Sequence, residues 1–218
     1  MTWDLLQPIW LDSIGATLYM VAVSMVLGGL LGLLIGLLLY ATRPGNLLQN
    51  AVVFNVLNVL INILRPIPFI IFITLMQPVA KSVVGSTIGA TAAIVPIVVM
   101  AGVVFGRLIE QNLVAVDPGV VEAAKSMGAG NWRVLFGVVL PEALGPLILA
   151  YTFLFIGVVD MSAVAGYIGG GGLGDFAITY GYQQFDYKIT LVAVITIIVL
   201  VQLAQYVGNW LARRVMRR

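Results

Sequence analysis

The segment Glu122-Ala123-Ala124-Lys125-Ser126-Met127-Gly128 is followed, after nine residues, by Val138-Val139-Leu140-Pro141. It is a polar island between long apolar stretches, so it belongs outside the bilayer. Its residue types are those of a short helix with defined ends. Asp117-Pro118 reads as an N-cap and first helical position. Gly128 stands where a left-handed residue closes a helix. Asn131 is placed to cap a second short helix through Phe136, and Pro141 to open the next apolar run. Helices this short are marginal in isolation and need a surface to rest on. A soluble partner is the natural surface, and the small Ala123 and Ala124 let a helix seat closely in a cleft. The chemistry expected here is docking, not bond making.

Other polar groups stand within apolar sequence. Asp160, in Gly157-Val158-Val159-Asp160-Met161-Ser162-Ala163, is costly in a membrane and is functional by default. Helix counted from Ala143 carries Asp160 up about 25 Å. That is near the outer end of a core about 30 Å thick. There it would border a central pathway with Met161 and Ser162. The plain alternative is a span that ends early and leaves the carboxylate in water. Arg65 is expected at a deeper, more cytoplasmic level, so a direct Arg65–Asp160 pair is not expected. Asn55, Asn58, Asn62 and Arg65 fall at i, i+3, i+7 and i+10 on one helical face. That stripe could line a path, glue helices together or form the wet side of an interfacial helix. Gly28, Gly32 and Gly36 make a small-residue face, for packing within the chain or against a second copy.

Gly169-Gly170-Gly171-Gly172-Leu173-Gly174 contains the letters G-x-G-x-x-G. It follows an apolar span rather than a β-strand, so the nucleotide reading fails on context. The glycines are expected to form an irregular turn at the outer end of that span, where backbone lines a cavity. The chain has no cysteine and no histidine. Paired carboxylates, nucleophile–base sets and metal-ligand clusters do not stand out, so no enzyme activity is expected of this chain alone.

The elements that carry these groups follow from composition. The 218 residues are 61% hydrophobic and 9% charged, against about 25% charged in soluble domains. Apolar runs cover Ile14–Ala41, Val83–Gly106, Ala143–Val159 extended to about Ala165, and Ile189–Ala212. Each meets the length of about 20 residues for one crossing. A fifth, Ala51–Met76, is interrupted by Arg65-Pro66-Ile67-Pro68 and is expected to bend there, with a partly interfacial start near Val56. The fold class is an all-α integral membrane protein of five transmembrane helices, one domain over residues 1–218, with the polar loop at about 109–141. Arg43, Arg107, Lys125, Arg133, Arg213, Arg214, Arg217 and Arg218 fall on one side of such a topology. Lys81 and Lys188 fall on the other. The basic side is cytoplasmic by the positive-inside rule. The N-terminus is then outside, the C-terminus cytoplasmic, and no cleavable signal is evident.

The loop resembles the EAA loop of ABC-importer permeases, written E-A-A-x-x-x-G-x9-I-x-L-P, with Val138 in place of Ile. Along nearly its whole length the chain resembles the permease subunit of methionine ABC importers. The matching stretches are Leu39 to Gly45, Arg65 to Ile71, Ala93 to Pro96, Glu122 to Gly128, Leu140 to Ala143, Gly171 to Gly174 and Tyr180 to Tyr182. The departure is Asp160, where relatives mostly carry a small or neutral residue. The resemblance implies a type I importer in the inner or plasma membrane of a prokaryote, working by alternating access. Its partners would be a second copy of this chain, two ATP-binding ABC subunits, an extracytoplasmic substrate-binding protein, a small amino acid and membrane lipid, with no nucleic acid. ATP and Mg would be bound by the partner ATPase, and this chain would hold no cofactor. Glu122, Ala123, Ala124, Gly128, Trp132 and Pro141 would couple to the ATPase. Arg65, Pro66, Phe69, Asp160, Met161 and Ser162 would form the pathway or its gate. The nearest alternative is the same machine for another small amino acid or a peptide. Alternatives of other classes are a self-sufficient channel or secondary transporter, and an assembly protein without transport activity.

Overall fold

In lipid a long apolar chain can satisfy its backbone polar groups only within helices or a closed barrel. The computed structural model describes residues 3–216, and among them there is no β-strand. Helix α1 spans Trp3–Thr42. A broken segment follows, made of α2 (Ala51–Leu64), α3 (Phe69–Leu75) and α4 (Gln77–Val84). Then come α5 (Ala90–Val114), the loop helices α6 (Pro118–Ser126) and α7 (Asn131–Val134), and a π-helical turn over Leu135–Val139 leading into α8 (Leu140–Glu142). Helix α9 (Leu144–Ala165) ends in a glycine-rich reversal. Short α10 (Gly172–Asp175) and a π-helical segment Phe176–Tyr182 lead into α11 (Tyr187–Met216).

Helices α1, α5, α9 with its extension, and α11 are each long and apolar enough to cross a membrane. The fifth candidate crossing is the bent pair α2 and α3, whose axes meet at 110°. Neither half reaches across a core of about 30 Å, since α2 rises about 21 Å and α3 about 10 Å. Pro66 and Pro68 produce the break, because neither nitrogen can donate to the preceding turn. Helix α2 begins at Ala51, the first residue of the apolar run, where Asn50 caps it by accepting from Val52 and Val53 N–H at 3.1 Å each. Its inner face packs Ile61 against Leu39 and Val103.

Two boundaries differ from the apolar runs. Helix α1 starts eleven residues before Ile14, because Leu6 is buried with Phe176, Ile189 and Ala193, and Trp10 Nε1 donates to Thr196 Oγ1 at 3.1 Å. The run from Val83 is split, because Gly85 and Gly89 adopt φ of +78° and +98°. Helix α5 therefore begins at Ala90 and continues past Gly106 to Val114.

The core seam joins α1 to α5. A Cβ on Gly28 would lie 2.9 Å from Ala101 Cβ, and one on Gly36 would lie 2.5 Å from Ile109 Cβ. In return, Gly102 and Gly106 receive Leu31 and Ile35. Without a hydrophobic drive between helices in lipid, such close dispersion contact holds the pair together. Of the two roles open to the glycine face, packing within the chain is the observed one. Helix α9 is seated the same way. Gly29 of α1 admits the Tyr151 ring, whose hydroxyl donates to Met25 O at 2.8 Å, and Gly208 of α11 admits Thr152.

Candidate coupling loop and translocation face

The loop between α5 and α9 is built by local rules. Asp117 Oδ1 accepts from Gly119 N–H at 2.8 Å, and Pro118 takes the first helical position. At the other end Gly128 has φ +82°. Its N–H donates to Lys125 O at 2.9 Å, and Ala129 N–H donates to Ala124 O at 3.1 Å. This pair of bonds is the Schellman closure, which consumes carbonyls a helix end leaves open. Asn131 does not cap the second helix. Gly130 occupies that position, and Asn131 Nδ2 instead donates to Leu47 O at 2.6 Å, tying the loop to the α1–α2 turn. Approaching Pro141 the backbone widens into a π-helical turn, with Leu140 N–H bonded to Leu135 O. That wider register eases entry of a residue that cannot donate.

The loop has an inner and an outer side. Ala124 is buried in the same core cluster as Leu113, Val134 and Leu135, so its small size serves the loop's own packing. Glu122, Ala123, Lys125 and Gly128 are exposed. Val120, Ala123 and Met127 fall at i, i+3 and i+7 on the open face, with Met127 82% exposed. Beside them Trp132 is exposed and stacks on Phe136, ring centroids 6.0 Å apart and planes 8° apart. Large apolar side chains held open on a capped, tied loop make an exposed patch of the kind that marks interaction sites. Val120, Met127 and Phe136 are not marked by the sequence motifs, although Val120, Ala123 and Met127 follow an i, i+3, i+7 spacing across α6 and its C-cap.

Beneath the loop lies an ionic cluster that sequence reasoning also missed. Glu110 is 3% exposed. It pairs with Arg107 at 2.5 Å and Arg43 at 3.6 Å, and the same Arg107 nitrogen donates to Asn58 Oδ1 at 3.2 Å. The turn after α1 is thereby joined to α2 and α5. Of the polar stripe on α2, Asn58 acts as glue, whereas Asn55, Asn62 and Arg65 are exposed.

The residues expected along a pathway divide. Arg65 and Pro66 are exposed at the α2–α3 bend, and Phe69 is half-buried against the core. Helix α9 continues five residues beyond Asp160, so the carboxylate does not mark an early helix end. Asp160 is exposed, on the α9 face that also carries Leu149 and Phe153. Met161 is half-buried, and Ser162 turns inward, its hydroxyl donating to Val159 O at 2.7 Å. Among the described residues neither Arg65 nor Asp160 makes an ion pair.

The glycine run is a reversal that folds α10 back on α9. Gly169, Gly171 and Gly172 all have positive φ. A side chain on Gly174 would overlap the Ala163 backbone, and one on Gly172 would press on Thr17. Leu173 N–H donates to Thr17 Oγ1 at 2.8 Å, and Gly89 N–H to Gly169 O at 2.9 Å, so the turn staples α1 and α5. The cavity behind it is about 10 Å³, the size of one water.

Fold and loop together define a multi-span helical membrane protein with an exposed, apolar-faced loop. The chain belongs to the family of binding-protein-dependent transport system inner membrane components, whose pattern it matches over residues 28–217. It is 44% identical, over 93% of its length and 90% of the relative's, to a Vibrio cholerae protein described as a probable D-methionine transport system permease protein, MetI. It is 39% identical to the Bacillus subtilis methionine import system permease protein MetP, covering 83% of this chain and 82% of that one. The fold superposes on a chain of the MetNI methionine ABC transporter, solved in inward-facing conformations, with a TM-score of 0.94. That match has 36% identity and covers 99% of both chains.

Proposed function

We propose that this chain is the membrane-spanning subunit of an ATP-driven importer of methionine. Two copies form the pathway, two ATP-binding subunits sit on the cytoplasmic side, and an extracytoplasmic binding protein delivers the amino acid. ATP and Mg belong to the ATPase subunits, whose movement reaches the membrane helices through the loop. Glu122, Ala123 and Gly128, with Trp132 beside them, present the docking face. Ala124 and Pro141 fix how that face joins the core. The observation that carries this reading is the capped loop with its open face of Val120, Ala123, Met127, Trp132 and Phe136.

The pathway follows from the same arrangement. The bend at Arg65, Pro66 and Phe69 and the α9 face bearing Asp160 turn toward the second copy. Met161 and Ser162 shape α9 at that level. Rocking of the two half-transporters then exposes the pathway alternately to each side. The distribution of basic residues supports a cytoplasmic loop and tail and an outer N-terminus.

The test is uptake by the purified complex in proteoliposomes. Labelled methionine should accumulate only with ATP and the ATPase subunit, and unlabelled methionine should compete. Equal competition by glutamine would overturn the substrate assignment and leave the same machine serving another small amino acid.

A further inference from the structure

Helices α1, α9 and α11 leave between them an open groove of about 890 Å³. Its walls include Leu30 and Leu33 of α1, Leu144 and Leu147 of α9, and Leu203 and Leu211 of α11. Its two hydroxyl side chains are already used, Tyr151 donating to Met25 O and Thr152 to Ile148 O, each at 2.8 Å. The groove therefore offers only hydrocarbon to an occupant.

Its length is that of one leaflet. From Leu203 to Leu211 is about 12 Å of helix, and from Leu144 to Phe155 about 17 Å. A leaflet is half of a core about 30 Å thick. At the groove's tail end α11 supplies a cation. Arg214 lies three residues beyond Leu211 and seven beyond Val207, so it continues the groove-lining stripe. Its guanidinium is held 4.0 Å from the Trp210 ring centroid. Arg214 makes no ion pair among the described residues. Met216 packs against Gly145, which brings this end of α11 level with the start of α9. Glu142, the nearest acid in sequence, ends α8 two residues before Leu144 and is not among the residues lining the groove. The α9 face bearing Leu149, Phe153 and Asp160 lies opposite the groove, so the groove faces lipid when that face lines the pathway.

We propose that this groove is a binding site for one anionic phospholipid of the inner leaflet. An acyl chain lies between α1, α9 and α11, and the headgroup phosphate rests on Arg214. The inner leaflet rests on the cytoplasmic placement of the tail given above. Lipid retention and thiol labelling of Gln77→Cys, Gln184→Cys and Ser126→Cys on intact cells are read separately, so a lost site and a reversed orientation give different results.

The experiment is native mass spectrometry of the purified complex, delipidated and then incubated with phosphatidylglycerol or phosphatidylcholine of identical chains. The parent should retain phosphatidylglycerol in preference. Arg214→Gln, an exposed position, should lower that retention about fivefold, the equivalent of about 1 kcal/mol for one basic residue at an anionic surface, and leave phosphatidylcholine unchanged. Ala204→Phe, which fills the groove, should lower both. An unchanged preference in Arg214→Gln, or a parent that retains neither lipid, overturns the proposal. So does a disulfide between copies carrying Leu30→Cys and Leu203→Cys in membranes, which would put a second copy in the groove.

Discussion

Gly128→Val separates the shape of the docking loop from every other property of the chain. Nothing lies within 4 Å of where a Cβ would stand at Gly128, so an added side chain meets no neighbour. Only the backbone objects, since φ is +82°. A left-handed conformation costs an L-residue about 1–2 kcal/mol, and a β-branched one is the least tolerant. Relieving that cost means releasing the two bonds from Gly128 and Ala129 to Lys125 and Ala124. Helix α6 has nine residues and no reserve of its own. A shift of 1–2 kcal/mol changes the population of the native turn by a factor of about 5–30. The variant should insert and assemble its spans normally. Measured on purified complexes, it should retain less ATPase subunit, or transport less methionine per ATP hydrolysed. Gly128→Asn should fall between parent and valine, because asparagine tolerates the left-handed region. Parental transport by Gly128→Val would refute the argument that this turn sets the docking geometry.

The orientation can be read in a background without cysteine. An impermeant thiol reagent on intact cells should label Gln77→Cys and Gln184→Cys and spare Ser126→Cys, a better probe than Asn131, which holds Leu47; the reverse pattern would sink the topology. Gly36→Val pushes a side chain into Ile109 and should cost about 1–3 kcal/mol of overpacking. It should appear as a lower thermal midpoint of the detergent-solubilised complex, and an unchanged midpoint would contradict the α1–α5 seam. Asp160→Asn should leave assembly intact and alter uptake, with Asp160→Leu more severe. Parental uptake in both would make the carboxylate a merely hydrated surface group.

What could be read from sequence was what depends on near neighbours. The Asp117-Pro118 start and Gly128 stop of α6 are encoded within a dozen residues, and both hold in the structure. The proline break at Arg65–Pro68 and the glycine reversal after α9 are local in the same way, since missing donors and positive φ belong to single residues. The missed features are nonlocal. The Glu110 cluster adds Arg43, just past α1, and Asn58 of α2 to the Arg107–Glu110 pair of α5; only that i, i+3 pair lies within one window of sequence. Asn131 has the composition of a cap, yet Leu47, 84 residues away, takes its amide. Ala124 and Ala123 look alike in sequence, and only the core decides which one faces inward. The first eleven residues of α1 are too polar to read as a span, and they are helical because Leu6 and Trp10 find partners on α11 and the segment before it.

The central claim is that the loop at α6 and α7 is where an ATP-hydrolysing partner engages. Met127 and Phe185 allow a direct comparison, being 82% and 80% exposed on the two sides assigned to cytoplasm and exterior. A photo-crosslinking amino acid at either position, in cells expressing the whole transporter, reports what each touches. The account predicts that light captures the ATPase subunit from position 127 and not from position 185. No capture from 127, or capture of the ATPase from 185, would contradict it.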